Sequence, residues 1–301
     1  MTIPDKESIS LWFQNLQLDI IKQLEAADSK SKFIFDHWER EGGGGGRSAV
    51  LQNGKIIEKG GVNYSAVYGA TPEFLIKSNQ QLKGSEFYAT GVSIVLHPLN
   101  PMVPIIHMNV RYFEAGDHLF WFGGGIDLTP HYIQGDDAQF FHQQLKDVCD
   151  QNDESYYVKF KNWADDYFYI PHRKETRGIG GIFFDHLSGN KNELFEFVKS
   201  VGNIFAPTYI HLMKKNCDKP YGEREKRWQF LRRGRYVEFN LVYDKGTKFG
   251  LETNGRTESI LMSLPPHAEW GYHVIPEEGS PEDFTQKNLK KGMNWIKYQS
   301  I

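Results

Sequence analysis

Residues 91–125 read GVSIVLHPLNPMVPIIHMNVRYFEAGDHLFWFGGG and contain three consecutive predicted β-strands. Residues 91–97 alternate and are rich in β-branched side chains, which is typical of a strand. The prolines of Pro98-Leu-Asn-Pro101 predict a turn. Residues 103–113 and 118–122 have the composition of two further strands. Short connections between successive strands indicate an antiparallel meander.

Helical periodicity surrounds this meander. The predicted helices cover residues 8–27, 136–149, 153–168, 189–216 with an interruption near Pro207, and a closing helix at 286–298. Further strands are predicted at 236–243 and 247–253, around a hairpin turn at 244–246, and at 259–264. The glycine tract 42–46 is predicted to form a loop inside the domain. Because no polar linker divides the chain, the sequence predicts one α+β domain over residues 1–301.

Composition limits the class of protein. The 301 residues are 40% hydrophobic and carry a net charge of −3, which excludes a disordered chain and disfavours a cationic nucleic-acid-binding body. The two cysteines, Cys149 and Cys217, form no C-x-x-C pair, which excludes Cys₄ zinc sites. No apolar run is long enough to span a membrane and no signal peptide is evident. A cytoplasmic protein is therefore expected.

Polar side chains share one face of the first two strands. Because strand side chains alternate, this face is predicted to gather Ser93, His97, His107, Asn109 and Arg111. A solvated sheet face is the simplest alternative, but such faces usually carry Lys, Glu and Thr. Two histidines, an asparagine and an arginine among apolar neighbours favour a functional site.

Asp127 follows the glycines Gly123–Gly125 at the end of the third strand. Glycines there allow close approach of a ligand or backbone, and the acid is suited to act as a base or to hold an N–H donor. A turn or helix-capping carboxylate is the alternative interpretation. The basic segment 224–235 contains interleaved aromatics, but the acidic balance argues against nucleic acid. Arginines such as Arg111 and Arg256 would suit a ligand with several carboxylates.

Four histidines could converge: His97, His107, His142 and His172. Imidazole is the commonest metal ligand and also titrates near neutrality. Their spacing matches no compact metal motif such as H-E-x-x-H. A divalent metal site and a polar, proton-handling cavity both remain open.

Five long segments resemble one enzyme family, the oxygen-dependent coproporphyrinogen III oxidases of haem biosynthesis, and most of all its bacterial members. In chain order they are GGGGGRSAVLQNGKIIEKGGVNYSAVYG (42–69), GVSIVLHPLNPMVPIIHMNVRYF (91–113), WFGGGIDLTP (121–130), DDYFYIPHRKETRGIGGIFFDHL (165–187) and RRGRYVEFNLVYDKGTKFGLETNGRTESILMSLPP (232–266). They follow the family's order, and together with the terminal helices they account for nearly the whole chain.

The resemblance implies a fold and a reaction. The fold would be a large, mainly antiparallel sheet covered by helices on both faces, in a homodimer whose dimerisation segment is 236–271. The reaction would convert two propionates of coproporphyrinogen III to vinyl groups, giving protoporphyrinogen IX, carbon dioxide and hydrogen peroxide. Dioxygen would be the co-substrate. No organic cofactor would be needed, because a pyrrole ring can itself supply electrons to dioxygen.

The resemblance also implies roles for individual residues. His107 matches a proposed proton donor, and Asp127 matches an acid thought to hold the pyrrole N–H groups. The matched substrate positions are Ser93, Asn109, Val110, Arg111, Asn254, Gly255 and Arg256. The matched divalent-metal positions are His97, His107, His142 and His172. Position 254 is usually Gly in the family and is Asn here, which puts the contact made by this residue in doubt.

Two functions of other classes remain as alternatives. A His-cluster metallohydrolase would cleave esters or amides without consuming oxygen. A non-catalytic tetrapyrrole-binding protein would bind porphyrin and leave the propionates intact. The long family segments outside the histidines argue against the first, and the presence of His107 and Asp127 argues against the second.

Overall fold

A computed structural model describes residues 3–116, 119–252 and 255–298. In chain order the strands are β1 (Ile34–Glu39), β2 (Gly44–Gln52), β3 (Ile57–Ala70), β4 (Glu86–Pro98), β5 (Ile105–Ala115), β6 (Leu119–Thr129), β7 (Tyr169–Ile170), β8 (Glu175–Thr176) and β9 (Gly180–Leu187). The helices are α1 (Lys6–Asp28), α2 (Glu73–Ser78), α3 (Gly135–Asp150), α4 (Tyr156–Tyr167), α5 (Lys191–Asn216), α6 (Glu223–Val242), α7 (Lys245–Glu252), α8 (Thr257–Leu261) and α9 (Pro281–Asn288). Single 3₁₀ turns lie at Gln80–Leu82 and Trp295–Lys297.

The main sheet has seven antiparallel strands in the order β1-β2-β3-β4-β5-β6-β9. The six strands β1 to β6 thus lie in the sheet in the same order as in the sequence, which confirms the predicted meander. Only β9 joins from a distance, after α3 and α4, and it pairs with β6. β7 and β8 form a separate two-stranded ribbon.

The core lies on one face of the sheet. Ile106, Met108 and Val110 of β5 point to this face and are fully buried. They belong to a large apolar cluster with side chains of α1, α3, α4 and α5. The spacing of Phe13, Leu16, Ile20 and Leu24 along α1 gives that helix one continuous apolar side, all of which is buried.

The opposite face carries the polar residues of β4, β5 and β6 and is covered by α6 and the segment that follows it. Tyr236 and Phe239 of α6 are buried, and Tyr236 packs with Val95 and Ile105 in a small apolar cluster. The architecture is therefore a single α+β domain with helices on both faces of the sheet, as predicted. No helix in the three described ranges combines the length and apolar character that a membrane span requires.

The predicted strands after residue 235 are wrong. Residues 236–242, 247–252 and 259–261 lie in the helices α6, α7 and α8, and no hairpin forms at 244–246. Residue 243 and residues 262–264 follow the ends of α6 and α8, and residue 253 lies outside the described residues. The alternation in YVEFNLVY has strand period, but α6 starts at Glu223. On its buried side it places Arg232 and Arg233, which are paired with Glu175 and Glu58. Charged residues on the buried side hide the helical period from a hydrophobicity pattern.

Three smaller predictions also differ. The glycine tract 42–46 is a loop only in part, because Gly44 begins β2 and has a φ of 79°. The ring of Trp38 lies where a side chain at Gly46 would be. α5 continues through Pro207 without interruption, and the closing helix 286–298 is replaced by α9 and the 3₁₀ turn at 295–297.

Candidate active site

A polar row crosses five adjacent strands on the α6 face. The register pairs Asp36 with Ser48, Ser48 with Asn63, Asn63 with Ser93, and Ser93 with Asn109. At a strand spacing of about 4.8 Å the row is about 19 Å long. The predicted site residues Ser93 and Asn109 therefore belong to a wider polar surface that also includes β1, β2 and β3.

His107 and Asp127 face each other directly across β5 and β6. The His107 Nδ1 lies 2.8 Å from the Asp127 Oδ1. A carboxylate only accepts hydrogen bonds, so Nδ1 carries a proton, and in the neutral ring Nε2 then presents a lone pair. Nε2 makes no hydrogen bond within the described residues, and the His107 side chain is 22% exposed. His107 is thus oriented by an acid and open on its other nitrogen.

Arg177, which the sequence did not single out, completes this group. Its Nη2 donates to both carboxylate oxygens of Asp127, at 2.8 and 2.6 Å. Its Nη1 donates to the Asn240 side chain. The guanidinium lies 4.4–4.7 Å from the ring centroids of Phe168, Tyr236 and Phe239.

The electrostatics keep Asp127 ionised. Burial alone would raise the pKa of this carboxyl, but the Arg177 charge and the His107 hydrogen bond outweigh it and lower the pKa. A buried arginine stacked among aromatic rings is the natural partner for such a carboxylate. The only signal for Arg177 in the sequence was its place before the glycines of β9.

Asp127 does not have the exposure that its predicted role requires. Its side chain is 2% exposed, beneath His107 and Arg177. The expectation that Asp127 itself contacts pyrrole N–H groups therefore does not match its position, because a ligand on this face meets His107 first. Asp127 is connected to the exposed part of this face through its hydrogen bond to His107.

Arg111 lies further along the same face and is held by two oxygens. Its Nη1 donates to the Asn109 side chain at 2.8 Å, and its Nη2 pairs with Asp185 at 2.9 Å. A Cβ added at Gly123 would be 3.0 Å from the Arg111 Nε and 2.5 Å from the Asp185 Oδ1. Gly123 thus makes room for the Arg111–Asp185 pair. Val110, between Asn109 and Arg111, points into the core, so its side chain is not available to a ligand.

Residues 256–264, which we call the strap, cover the β1–β4 end of this face. Arg256 pairs with Asp36. The Ser259 hydroxyl hydrogen-bonds the Ser48 hydroxyl, and the Ser259 carbonyl accepts from the Asn63 amide.

The far end of the strap is fixed as well. The carbonyl of Ser263 accepts from His97 and that of Leu264 from Lys59. Before the strap, the Gly255 N–H donates to the Gly250 carbonyl. Asn254 lies outside the described residues.

The four candidate metal ligands lie in different surroundings. His142 is buried, and its Nε2–H donates to the Ile179 carbonyl while its Nδ1 accepts from the Tyr157 hydroxyl. His172 is similarly occupied, by Glu238 at Nε2 and the Tyr243 hydroxyl at Nδ1. A metal ligand needs a free lone pair, and neither ring has one. Burial lowers the pKa of His142 to about 3.

These positions correct the expectation of one site built from four histidines. Within the described residues of a single chain, no group of three or more His, Cys, Asp or Glu side chains is arranged to hold a metal ion. His97 donates to the strap through Nε2, and its burial lowers its pKa well below the usual range.

The fold and this site define a class of protein, namely one that carries an oriented histidine and two partly exposed arginines on the polar face of an antiparallel sheet. Comparison with known families agrees with that description. The family model described as coproporphyrinogen III oxidase matches residues 8–295 of the chain. The chain therefore belongs to the coproporphyrinogen III oxidase family, which acts in porphyrin biosynthesis.

Proposed function

We propose that this protein is an oxygen-dependent coproporphyrinogen III oxidase that converts two propionates of its substrate to vinyl groups. The observation that supports this most directly is the half-open His107, held by the buried Asp127–Arg177 pair, with Arg111 four residues further along the same face of β5. Such a face offers a proton acceptor and, about 13 Å away, a cation for a carboxylate. Family membership supplies the substrate, and the oxidant is our own inference.

The chemistry balances with dioxygen alone. At each propionate the Cβ–H bond and the bond to the carboxylate break, and the vinyl C=C forms. The electron pair and proton from Cβ, with one further proton, reduce dioxygen to hydrogen peroxide, and the carboxylate leaves as carbon dioxide. Two turnovers give protoporphyrinogen IX, two carbon dioxide and two hydrogen peroxide.

His107 is the proposed acid–base group. Its Nε2 lone pair can accept a proton from the substrate or the peroxide and return it, while Asp127 fixes the ring and stabilises the charged imidazolium. The pyrrole supplies electrons to dioxygen in this scheme. Arg111 would hold a substrate carboxylate through the guanidinium N–H groups that Asn109 and Asp185 leave free.

Turnover of coproporphyrinogen III tests this proposal. The reduced substrate is mixed with the protein without oxygen, in EDTA-treated and untreated samples, and dioxygen is then admitted. We expect each of the two reacting propionates to lose one carbon dioxide and two hydrogen atoms, and the product mass to fall accordingly. Hydrogen peroxide should form, and both samples should behave alike. Turnover without dioxygen would contradict the proposal.

The remaining outcomes separate the alternatives. Turnover only in the untreated sample, restored by a divalent ion, would show that a metal is needed despite the positions of the histidines. Binding of the substrate with all four propionates intact would favour a non-catalytic tetrapyrrole-binding protein. Ester cleavage without oxygen uptake would favour a metallohydrolase.

We also propose that the protein acts in the cytoplasm as a homodimer formed through residues 236–271. Several apolar side chains in or next to this segment are exposed in the single chain, and they include Leu241, Val242, Trp270 and Tyr272. Large apolar side chains left exposed in one segment are typical of an interface. Light scattering after size exclusion should give twice the chain mass of 34.8 kDa, and a mass of one chain would contradict the dimer.

A further inference from the structure

Three arginines on the α6 face are each paired with an aspartate from the sheet. They are Arg177 with Asp127, Arg111 with Asp185, and Arg256 with Asp36. The first pair is buried, whereas the Arg111 and Arg256 side chains are 32% and 34% exposed. Only these two exposed guanidiniums can reach a ligand, and they lie toward opposite ends of the face.

Asp36 holds Arg256 by one nitrogen only. The Nη2 of Arg256 donates to the Asp36 Oδ2, while Nε is buried with no partner. Nη1 makes no hydrogen bond within the described residues. One edge of the guanidinium is thus fixed by the sheet and the other remains open to a second carboxylate.

The Arg256–Asp36 ion pair is not the contact that keeps the strap in place. Four other hydrogen bonds join the strap to the sheet, through Ser259, Ser263 and Leu264. A Cβ at Gly61 would overlap the Met262 sulfur, which shows how closely the strap lies on β3. Asp36 is 47% exposed on the edge strand. Its loss would free the Arg256 side chain and leave the strap attached.

We propose that Asp36 is a positioning residue that fixes Arg256 to receive a substrate carboxylate at the β1 end of the polar row. This rests on the proposed function, because the ligand is a tetracarboxylate whose other end lies at His107 and Arg111. A fixed guanidinium loses less rotamer freedom when it binds, so Asp36 acts on binding and not on the chemical step.

The test compares Asp36→Ala, Asp36→Asn and Asp36→Glu with a matched surface control, Asp166→Asn, whose parent acid pairs with the exposed Lys291. Binding is measured anaerobically with coproporphyrin III, the oxidised ring that keeps all four propionates and does not turn over. KM and kcat are measured with coproporphyrinogen III. The melting temperature of each variant shows that it is folded.

We expect Asp36→Ala to raise both the Kd for coproporphyrin III and KM about tenfold, the size expected for one charge-assisted hydrogen bond. The kcat should stay within about twofold of wild type. Asp36→Glu should recover part of the affinity, and Asp166→Asn should change nothing. In an Arg256→Gln background, Asp36→Ala should add less than twofold, because its effect depends on the arginine.

Three results would overturn the inference. An unchanged Kd and KM would show that Asp36 has no part in binding. Tighter binding in Asp36→Asn would show that Asp36 competes with the substrate. A full additive loss in the Arg256→Gln background would show that Asp36 acts independently of Arg256. The Kd measurement remains decisive even if no turnover is found, so it separates this inference from the proposed reaction.

Discussion

His107 and Asp127 lie directly opposite each other on β5 and β6, and their side chains are joined by a 2.8 Å hydrogen bond. The sheet register therefore sets which imidazole nitrogen is held and which is free. Because adjacent strands fix both Cα positions, this pair forms without any loop having to close over it. Arg177 then holds the acid from its other side.

Asp127→Asn should reduce kcat by about 10²–10⁴-fold, since the amide no longer fixes the His107 tautomer or stabilises an imidazolium. Binding of coproporphyrin III should change less than threefold, because residue 127 is buried beneath His107. Single-turnover kinetics measures the change in the rate of the chemical step, and anaerobic titration measures the binding of coproporphyrin III. Full turnover in this variant with unchanged affinity would remove Asp127 from the mechanism.

Arg177→Leu should lower the free energy of unfolding by roughly 3–5 kcal/mol, because it leaves the Asp127 carboxylate buried without its cation. The double variant Asp127→Asn/Arg177→Leu should be more stable than Arg177→Leu alone, since it removes the unpaired charge. Urea denaturation at pH 7 measures both. Equal stability of the single and double variants would mean that the ion pair is not the reason for burying Arg177.

Gly123→Ala and Gly125→Ala should act differently, although both add one methyl group on the same face. At Gly123 the new Cβ would meet the side chains of Arg111 and Asp185, which can move, so KM should rise with little loss of stability. At Gly125 it would lie 2.8 Å from the Ile182 carbonyl of β9, which cannot move freely. That variant should lose about 1–3 kcal/mol of stability. Steady-state kinetics gives the KM of each variant, and thermal melts give its stability. If KM and stability changed by similar amounts in both variants, this distinction would be contradicted.

Asp28 should contribute stability that depends on pH. Burial opposes its ionised form, but the backbone N–H groups of Lys55, Ile56 and Ile57 donate to it and lower its pKa. Its contribution is therefore present above the unfolded pKa of about 3.9 and is lost as pH falls through the lower folded value.

Asp28→Asn should cost about 2 kcal/mol at pH 7, because hydrogen bonds to a charged acceptor are lost. The difference in unfolding free energy between wild type and Asp28→Asn should begin to narrow below about pH 4, where the carboxyl of the unfolded chain becomes protonated, and should disappear below the lower pKa of the folded chain. Urea denaturation at pH 7, 5 and 3 checks the trend. A gap that does not change with pH would show that the charge of Asp28 is not involved.

The sequence predicted the part of the fold whose residues obey local rules. The meander from β4 to β6 alternates clearly, and so the polar face with Ser93, His107, Asn109 and Arg111 could be predicted from period two alone. The helices α1, α3, α4 and α5 were also found near their observed bounds. Both results depend on side chains that follow simple burial patterns.

The rest depends on contacts between distant residues. Arg177 is recognisable only once β9 pairs with β6 and brings it beside Asp127, 50 residues away in the chain. The strand predicted at 236–243 is wrong because residues 236–242 continue α6, and the buried Arg232 and Arg233 hide the apolar side of that helix from a hydrophobicity pattern. The four histidines looked alike in sequence, yet hydrogen bonds from Tyr157 and Tyr243 occupy two of them.

The late return of β9 has a consequence for how the chain folds. Strands β1 to β6 pair in sequence order, and all but the β3–β4 connection, which contains α2, are short loops. β9 instead must wait until the segment holding α3 and α4 has been placed. Arg177 lies just before β9. We therefore expect folding intermediates in which His107 already faces Asp127 but the arginine is absent, so that catalytic competence is acquired only in the last kinetic phase of folding.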